Sequence, residues 1–152
     1  MTKVNTKELL RKDSMIADGE TKDCVVYATA TAFDLSYDEA HKIVKERFSR
    51  EEGKGTKTSR LLEGMRTLSE TQEAINGKTI QEIVDNPTTT YVVHGQTYKR
   101  KPRVYSFAQK NNQGTYLILT RNHALTIKDG VLMDNKSKGS EKALINMAYK
   151  IS

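Results

Sequence analysis

Alternating apolar and polar positions make residues 114–135 the clearest pattern in the chain. The segment reads GTYLILTRNHALTIKDGVLMDN, which predicts three short strands joined by a brief connection and a tight turn, because strand side chains alternate between two faces. Asp129 and Gly130 lie between two alternating apolar runs. An Asp-Gly pair in that position is a strong signal for a β-hairpin with a two-residue loop.

The predicted hairpin brings a histidine and a carboxylate together. With a two-residue loop, Lys128 pairs with Val131, and counting outward along both strands places Asp134 opposite Leu125. Paired residues share a face of the sheet, and so do residues two apart along one strand. His123 and Asp134 are therefore expected to be diagonal neighbours on one face of the hairpin.

Helical patterns dominate the first half of the chain. Ser36 and Glu39 form a capping box ahead of apolar residues spaced for one helix face, which predicts a helix over residues 36–48. Residues 23–34 are expected to be buried, but their valines and threonines favour a strand while their alanines favour a helix. Two further helices are predicted over residues 6–16 and 58–68.

The second half of the chain begins with one more helical pattern and then changes to strand patterns. Thr79 and Glu82 form another capping box and predict a short helix that ends before Pro87. The other strands expected here, an irregular edge hairpin and a final strand, cover residues 88–93, 98–108 and 143–151. Helices first and an antiparallel sheet afterwards predict an α+β fold, with N-terminal helices packed on a C-terminal sheet. The length predicts a single domain over residues 1–152.

Composition limits the classes of protein that the chain could belong to. It has 152 residues, of which 36% are apolar and 29% charged, as in an ordinary soluble domain. No apolar run is long enough to span a membrane, and the polar first residues predict no secretory signal. The single cysteine, Cys24, has no disulfide partner in the chain, and neither a metal site nor a cofactor is expected. A reducing cytoplasm is the expected compartment.

The net charge of +6 raises the question of an acidic partner. One dense cluster of basic residues lies between Tyr98 and Tyr105, and it consists of Lys99, Arg100, Lys101 and Arg103. Basic residues interleaved with tyrosines could follow a nucleic acid backbone. A solvated loop or an edge strand protected by charge is the preferred interpretation, because no recognised nucleic-acid-binding motif accompanies the cluster.

Cys24 is a candidate nucleophile. A helix capped by Asp23 would place the thiol in its first turn, where the helix N-terminus favours a thiolate. His123 could take the thiol proton and return it to the leaving group, while Asp134 orients the imidazole. Taken singly, a cysteine is more often a small buried hydrophobe, and His94 is a rival base. The three residues together predict a catalytic triad.

In the order of its motifs the chain resembles the papain-like cysteine peptidases, particularly the small members common in tailed phages and bacteria. The matching features are an Asp-Cys-Val-Val start to an alanine-rich helix, a Tyr-x-x-Ala helix, a Gly-Thr-Tyr-Leu segment, a His-Ala pair, an Asp-Gly turn and a carboxylate eleven residues after the histidine. Residues 69–113 match poorly. The resemblance implies a papain-like fold in which Cys24 is the nucleophile, His123 the base and Asp134 the orienting residue.

The resemblance also implies a function and partners. A hydrolase of this family would cleave a peptide or isopeptide bond in a protein or peptide substrate, and a phage member would act on a host protein in the host cytoplasm. Two positions depart from the family, because Asp18 stands where a glutamine usually stabilises the oxyanion and Lys22 where the small members often carry asparagine. Lys22 and the backbone N–H of Cys24 are candidate oxyanion donors, and Asn122 is a candidate substrate contact.

Two other functions remain open from the sequence. The first is a catalytically weak or inactive papain-like protein that binds and inhibits a host protein or a nucleic acid. The basic cluster around Arg100 and the missing amide donor favour it. The second is a DNA-binding protein of plain α+β fold, whose affinity would fall steeply with salt.

Overall fold

The computed structural model of the chain describes residues 1–11, 14, 22–51, 53–136 and 138–152. The helices in these ranges are α1 (Thr6–Leu10), α2 (Cys24–Phe33), α3 (Tyr37–Arg47), α4 (Thr58–Thr71) and α5 (Val104–Lys110), with a 3-10 turn at Ser140–Lys142. The strands are β1 (Lys3–Asn5), β2 (Ile80–Asp85), β3 (Thr89–Val93), β4 (Gln96–Arg100), β5 (Thr115–Thr120), β6 (His123–Lys128), β7 (Val131–Asp134) and β8 (Ile145–Ile151). None of the described helices is long and apolar enough to cross a membrane.

A six-stranded sheet forms the centre of the fold. Its strand order is β1-β7-β6-β5-β8-β2, and every pairing is antiparallel except the parallel one between β1 and β7. One apolar cluster joins α2, α3 and α4 to the sheet, and a second joins α5 to sheet residues such as Ile118, Leu125 and Ile127. Side chains alternate between the faces of a strand, so the sheet has apolar residues on both faces. The predicted α+β class is confirmed.

The predicted central hairpin is confirmed in register. Lys128 pairs with Val131 across a two-residue loop of Asp129 and Gly130. Both loop residues have positive φ, 49° and 77°, as the hairpin turn that matches strand twist requires. A second tight connection joins β5 to β6, where Thr120 pairs with His123.

Residues 24–33 form a helix, which settles the divided propensity of this segment. Every residue of α2 after Cys24 is buried, so the segment has no polar face and its helical period does not show in the sequence. The Thr126 hydroxyl on β6 donates a hydrogen bond of 2.8 Å to the carbonyl of Ala28. This buried bond links the helix that carries Cys24 to the strand that begins with His123.

Helix α3 follows its prediction except at His41. The capping box is present, because Ser36 accepts from the Glu39 N–H and Glu39 accepts from the Ser36 N–H. His41, expected to face solvent, is only 6% exposed, and its Nε2 lies 3.2 Å from a guanidinium nitrogen of Arg50. Arg50 is itself buried and supplies the polar partner that allows a histidine inside the fold.

Two other predicted elements are wrong. The helix expected after Thr79 is strand β2, which pairs with β8 through a bulge between Ile80 and Glu82. Its β-branched residues gain a place beside a central strand, and that pairing outweighs the local capping signal. Residues 104–108, expected as part of a strand, belong to α5 instead. The first helix ends at Leu10, and the remainder of its predicted range lies largely outside the described residues.

Replacing Gly64 by alanine is expected to destabilise the protein, although alanine is the better helix former. A Cβ at Gly64 would meet the ring of Phe48 and lie 2.6 Å from the carbonyl oxygen of Arg47. Phe48 is fully buried, so the ring has little room to move. We expect a loss of about 1–3 kcal/mol in the free energy of unfolding, measured with urea. Thr67→Ala, on the exposed side of α4, is the control and should change stability by less than about 0.5 kcal/mol.

Candidate active site

The site is built around a hydrogen bond between His123 and Asp134. His123 begins β6 and Asp134 ends β7, and Nε2 of the histidine lies 2.6 Å from Oδ1 of the aspartate. The predicted neighbourhood of these two residues is therefore confirmed. Asp134 is 1% exposed and lies opposite Asn5 in the parallel pairing with β1, so β7 is held from both sides.

The surroundings of Asp134 keep its carboxylate charged. Burial raises the pKa of the group, but the hydrogen bond with His123, the nearby Ser140 hydroxyl and the backbone N–H of Lys136 together hold the pKa below its ordinary value. The Lys136 N–H lies 3.2 Å from Oδ1. A buried carboxylate that stays ionised is a fixed negative charge beside the imidazole.

Cys24 lies on the other side of the same imidazole. Burial lowers the pKa of His123, but the hydrogen bonds and charges of Asp134 and Cys24 more than compensate and raise it to about 9. Because Asp134 occupies Nε2, Nδ1 is the ring nitrogen left for the thiol. Cys24 is half-buried and is the first residue of α2. The structure thus brings all three predicted catalytic residues together.

Asp23 has a different role from the predicted one. It is the residue before α2, but its side chain makes no capping hydrogen bond to the helix. Its carboxylate accepts from the Tyr37 hydroxyl at 2.7 Å and lies 3.8 Å from the Arg11 guanidinium. The first turn of α2 therefore receives no hydrogen bond from the Asp23 side chain, and the N-terminal end of the helix favours negative charge near Cys24.

A cleft of about 870 Å³ opens beside the His123–Asp134 pair. Cys24 and His123 both line it, and so do Lys22 and Asn122, the two residues proposed from sequence for oxyanion or substrate contacts. Lys22 and Asn122 both have positive φ, 54° and 60°. Asp18, the other position in the oxyanion prediction, lies outside the described residues.

Sequence reasoning missed much of the cleft lining. Residues from three further segments contribute to it: Lys7, Arg11, Lys54, Gly55, Thr56, Asn135 and Lys136. None belongs to a motif, and only the fold brings these loops and helix ends beside Cys24.

The rival histidines do not take part in this site. His94 lies in the turn between β3 and β4, and His41 is buried against Arg50. Neither of them lines the cleft. Among the residues that the structure describes, no group of three His, Cys, Asp or Glu side chains is placed to hold a metal ion.

The predicted basic cluster is divided in the structure. Lys101 donates to Asn146 at 2.6 Å, and Arg103 donates to the carbonyl oxygen of Lys142 at 2.7 Å, so both are tied to the body of the fold. Lys99 and Arg100 lie on β4 and are exposed. Residues 88–113 contribute nothing to the lining of the cleft.

Comparison of the chain with protein-family models, with curated proteins and with solved structures gives no match. The function therefore has to be inferred from the chain's own residues and their geometry.

Proposed function

We propose that the protein is a cysteine hydrolase of papain-like type that cleaves a peptide or isopeptide bond. The observation that carries the proposal is a single imidazole, His123, that hydrogen-bonds a buried carboxylate and lines the same cleft as a thiol at a helix N-terminus, where that thiol raises the pKa of the imidazole. This arrangement has the three parts of a nucleophilic triad, and its thiol opens onto a cleft large enough for a peptide.

The reaction starts from a thiolate–imidazolium pair, in which the thiol proton of Cys24 has passed to His123. The thiolate attacks the carbonyl carbon of the scissile amide, and the backbone N–H groups at the start of α2 offer hydrogen bonds to the oxyanion. His123 then protonates the leaving amine, and the C–N bond breaks to leave a thioester on Cys24. Water, deprotonated by His123, attacks the thioester and releases the acid and the free thiol. No cofactor takes part in this sequence.

Asp134 supports both stages through His123. Its hydrogen bond to Nε2 fixes the tautomer that presents Nδ1 to the thiol. Its negative charge stabilises the imidazolium that forms when the thiol proton is transferred. Because Asp134 is buried, solvent screens this charge little.

The proposed setting is a reducing cytoplasm, where Cys24 stays a free thiol. If the chain is a phage protein, as the resemblance implies, the compartment is the host cytoplasm and the substrate a host protein. Both statements are part of the proposal.

A second candidate function is a catalytically inactive relative that binds a host protein or nucleic acid. Lys22 favours it, because a lysine lines the cleft where the small papain-like members often carry an asparagine amide. Loss of one oxyanion donor typically costs about 100- to 1,000-fold in rate.

Cleavage of a peptide library tests the first function against the second. A proteome-derived digest is incubated with the protein or with Cys24→Ala, and new N-termini are identified by mass spectrometry. The parent protein is expected to cleave peptides at bonds that are flanked by the same few residue types, whereas Cys24→Ala should cleave none. Identical peptide sets from both proteins would contradict hydrolysis and support a binding function.

A further inference from the structure

Strands β3 and β4 form a hairpin that stands apart from the central sheet, and residues 89–100 are here named the hairpin arm. The two strands make their own two-stranded sheet. Every residue from Thr90 to Arg100 is exposed, and only Thr89 at the base is partly covered. An isolated hairpin buries too little apolar surface to be stable alone, so an arm with both faces in water gains stability from a ligand.

One face of the hairpin arm combines aromatic rings with a positive charge. The register pairs Tyr91 with Tyr98 and Thr89 with Arg100, which places the two rings and the guanidinium on the same face. The rings stack with centroids 5.5 Å apart, and the Arg100 guanidinium lies 4.8 Å from the centroid of Tyr91. Tyr91 is 37% exposed and Tyr98 43% exposed, so part of each side chain is open to solvent.

All the charged residues of the hairpin arm and of its base are basic. Residues 88–103 contain four lysines and arginines and no aspartate or glutamate. Lys99 projects from the face opposite Tyr98, because neighbouring residues on a strand alternate. Such a segment attracts a polyanion at either face, and the stacked tyrosines add a surface that planar groups can contact.

We propose that the hairpin arm is a binding site for single-stranded nucleic acid. A single strand offers unpaired bases that can stack against Tyr91 and Tyr98, and phosphates that can reach Arg100 on the same face. Lys99 adds positive charge on the other face of the arm. An acidic protein segment would satisfy the charges but would leave the exposed rings without planar partners. A duplex keeps its bases stacked on one another and offers mainly phosphates.

The arm and the cleft are separate sites. None of residues 89–100 lines the cleft. The arm follows β2, the edge strand farthest in the sheet from β1, whereas Asp134 lies on β7 next to β1 and His123 lies on β6 beside β7. A nucleic acid bound at the arm therefore leaves Cys24 accessible. The inference holds whether or not the cleft is catalytic.

Fluorescence anisotropy with labelled 20-nucleotide oligo-dT and oligo-U tests the inference. The parent protein is expected to bind both strands, with an affinity that falls as salt rises. Replacing both Tyr91 and Tyr98 by alanine should weaken binding by about tenfold or more, whereas replacing both by phenylalanine should preserve it. Lys99→Gln with Arg100→Gln leaves the rings in place and should lower the slope of log K against log salt by about two.

The control variant removes the same number of positive charges from a helix outside the hairpin arm. Lys42→Gln with Lys45→Gln removes two exposed positive charges from α3 and should leave the affinity unchanged. Equal weakening by this control would mean that general charge, and not the arm, binds the strand. Undiminished binding by the arm variants, or no binding by the parent, would overturn the proposal. Equal displacement of the oligonucleotide by poly-glutamate would assign the arm to an acidic protein instead.

Discussion

Replacing His123 by alanine is expected to turn Cys24 into an ordinary thiol. In the parent protein, the proposed thiolate–imidazolium pair should make alkylation by iodoacetamide at pH 6 much faster than in the variant. In His123→Ala the rate should rise about tenfold per pH unit toward the pKa of a free thiol, about 8.5, because only the thiolate reacts. The thiolate fraction of such a thiol at pH 6 is about 0.3%.

The control for this measurement is His94→Ala. His94 lies in the turn of the hairpin arm and does not line the cleft, so its loss should leave the alkylation profile of the parent unchanged. A parent protein whose Cys24 reacts at the same slow rate as His123→Ala at pH 6 would mean that no thiolate–imidazolium pair exists. The catalytic proposal would then fail, while nucleic acid binding at the hairpin arm could still hold.

Asp134→Asn is expected to lower the pKa of His123 from its value of about 9. Asparagine keeps the size of the side chain and an oxygen that can accept from Nε2, but it removes the charge that favours the imidazolium. With that charge gone, we expect the pKa to fall by about 1 to 3 pH units. A proton NMR titration of the His123 ring, assigned with His123→Ala, measures this change directly.

The same substitution should change how stability depends on pH. Because folding raises the pKa of His123 above 6.5, its stabilising contribution is fully present below pH 6.5 and is lost as pH rises through about 9. Urea unfolding should therefore show falling stability of the parent across this interval and a smaller fall in Asp134→Asn. Asp34→Asn is the matched control, because Asp34 pairs with Lys128 at the far end of α2. If Asp34→Asn lowers the His123 pKa equally, the effect is not specific to Asp134.

The His123–Asp134 pair could be predicted from the sequence, because a local turn signal sets the register of its two strands. The Asp129-Gly130 turn determines the register of β6 and β7, and that register is enough to bring His123 and Asp134 together. Cys24 could be assigned to a helix start only as one of two alternatives. Its helix is buried on all sides, so no periodicity distinguishes it from a buried strand.

The failures share a physical cause, which is that distant contacts outweigh local preference. The capping box at Thr79 predicts a helix, but the segment forms strand β2 because its pairing with β8 outweighs the local helical signal. His41 was expected in solvent because its burial depends on Arg50, a residue outside its helix. The three-residue strand β1 has no pattern of its own and forms only because β7 offers a parallel partner.

Cys24 and His123 are far apart along the chain, so the ribosome makes them at different times. Cys24 leaves the ribosome about 100 residues before His123, which at typical elongation rates is about 5 to 20 seconds. The sheet also needs β8, because this strand lies between β5 and β2. During synthesis the nascent thiol therefore has no base beside it, and the proposed hydrolysis could not act on the nascent chain or on its neighbours. The proposed activity would begin only when the last strand has entered the sheet.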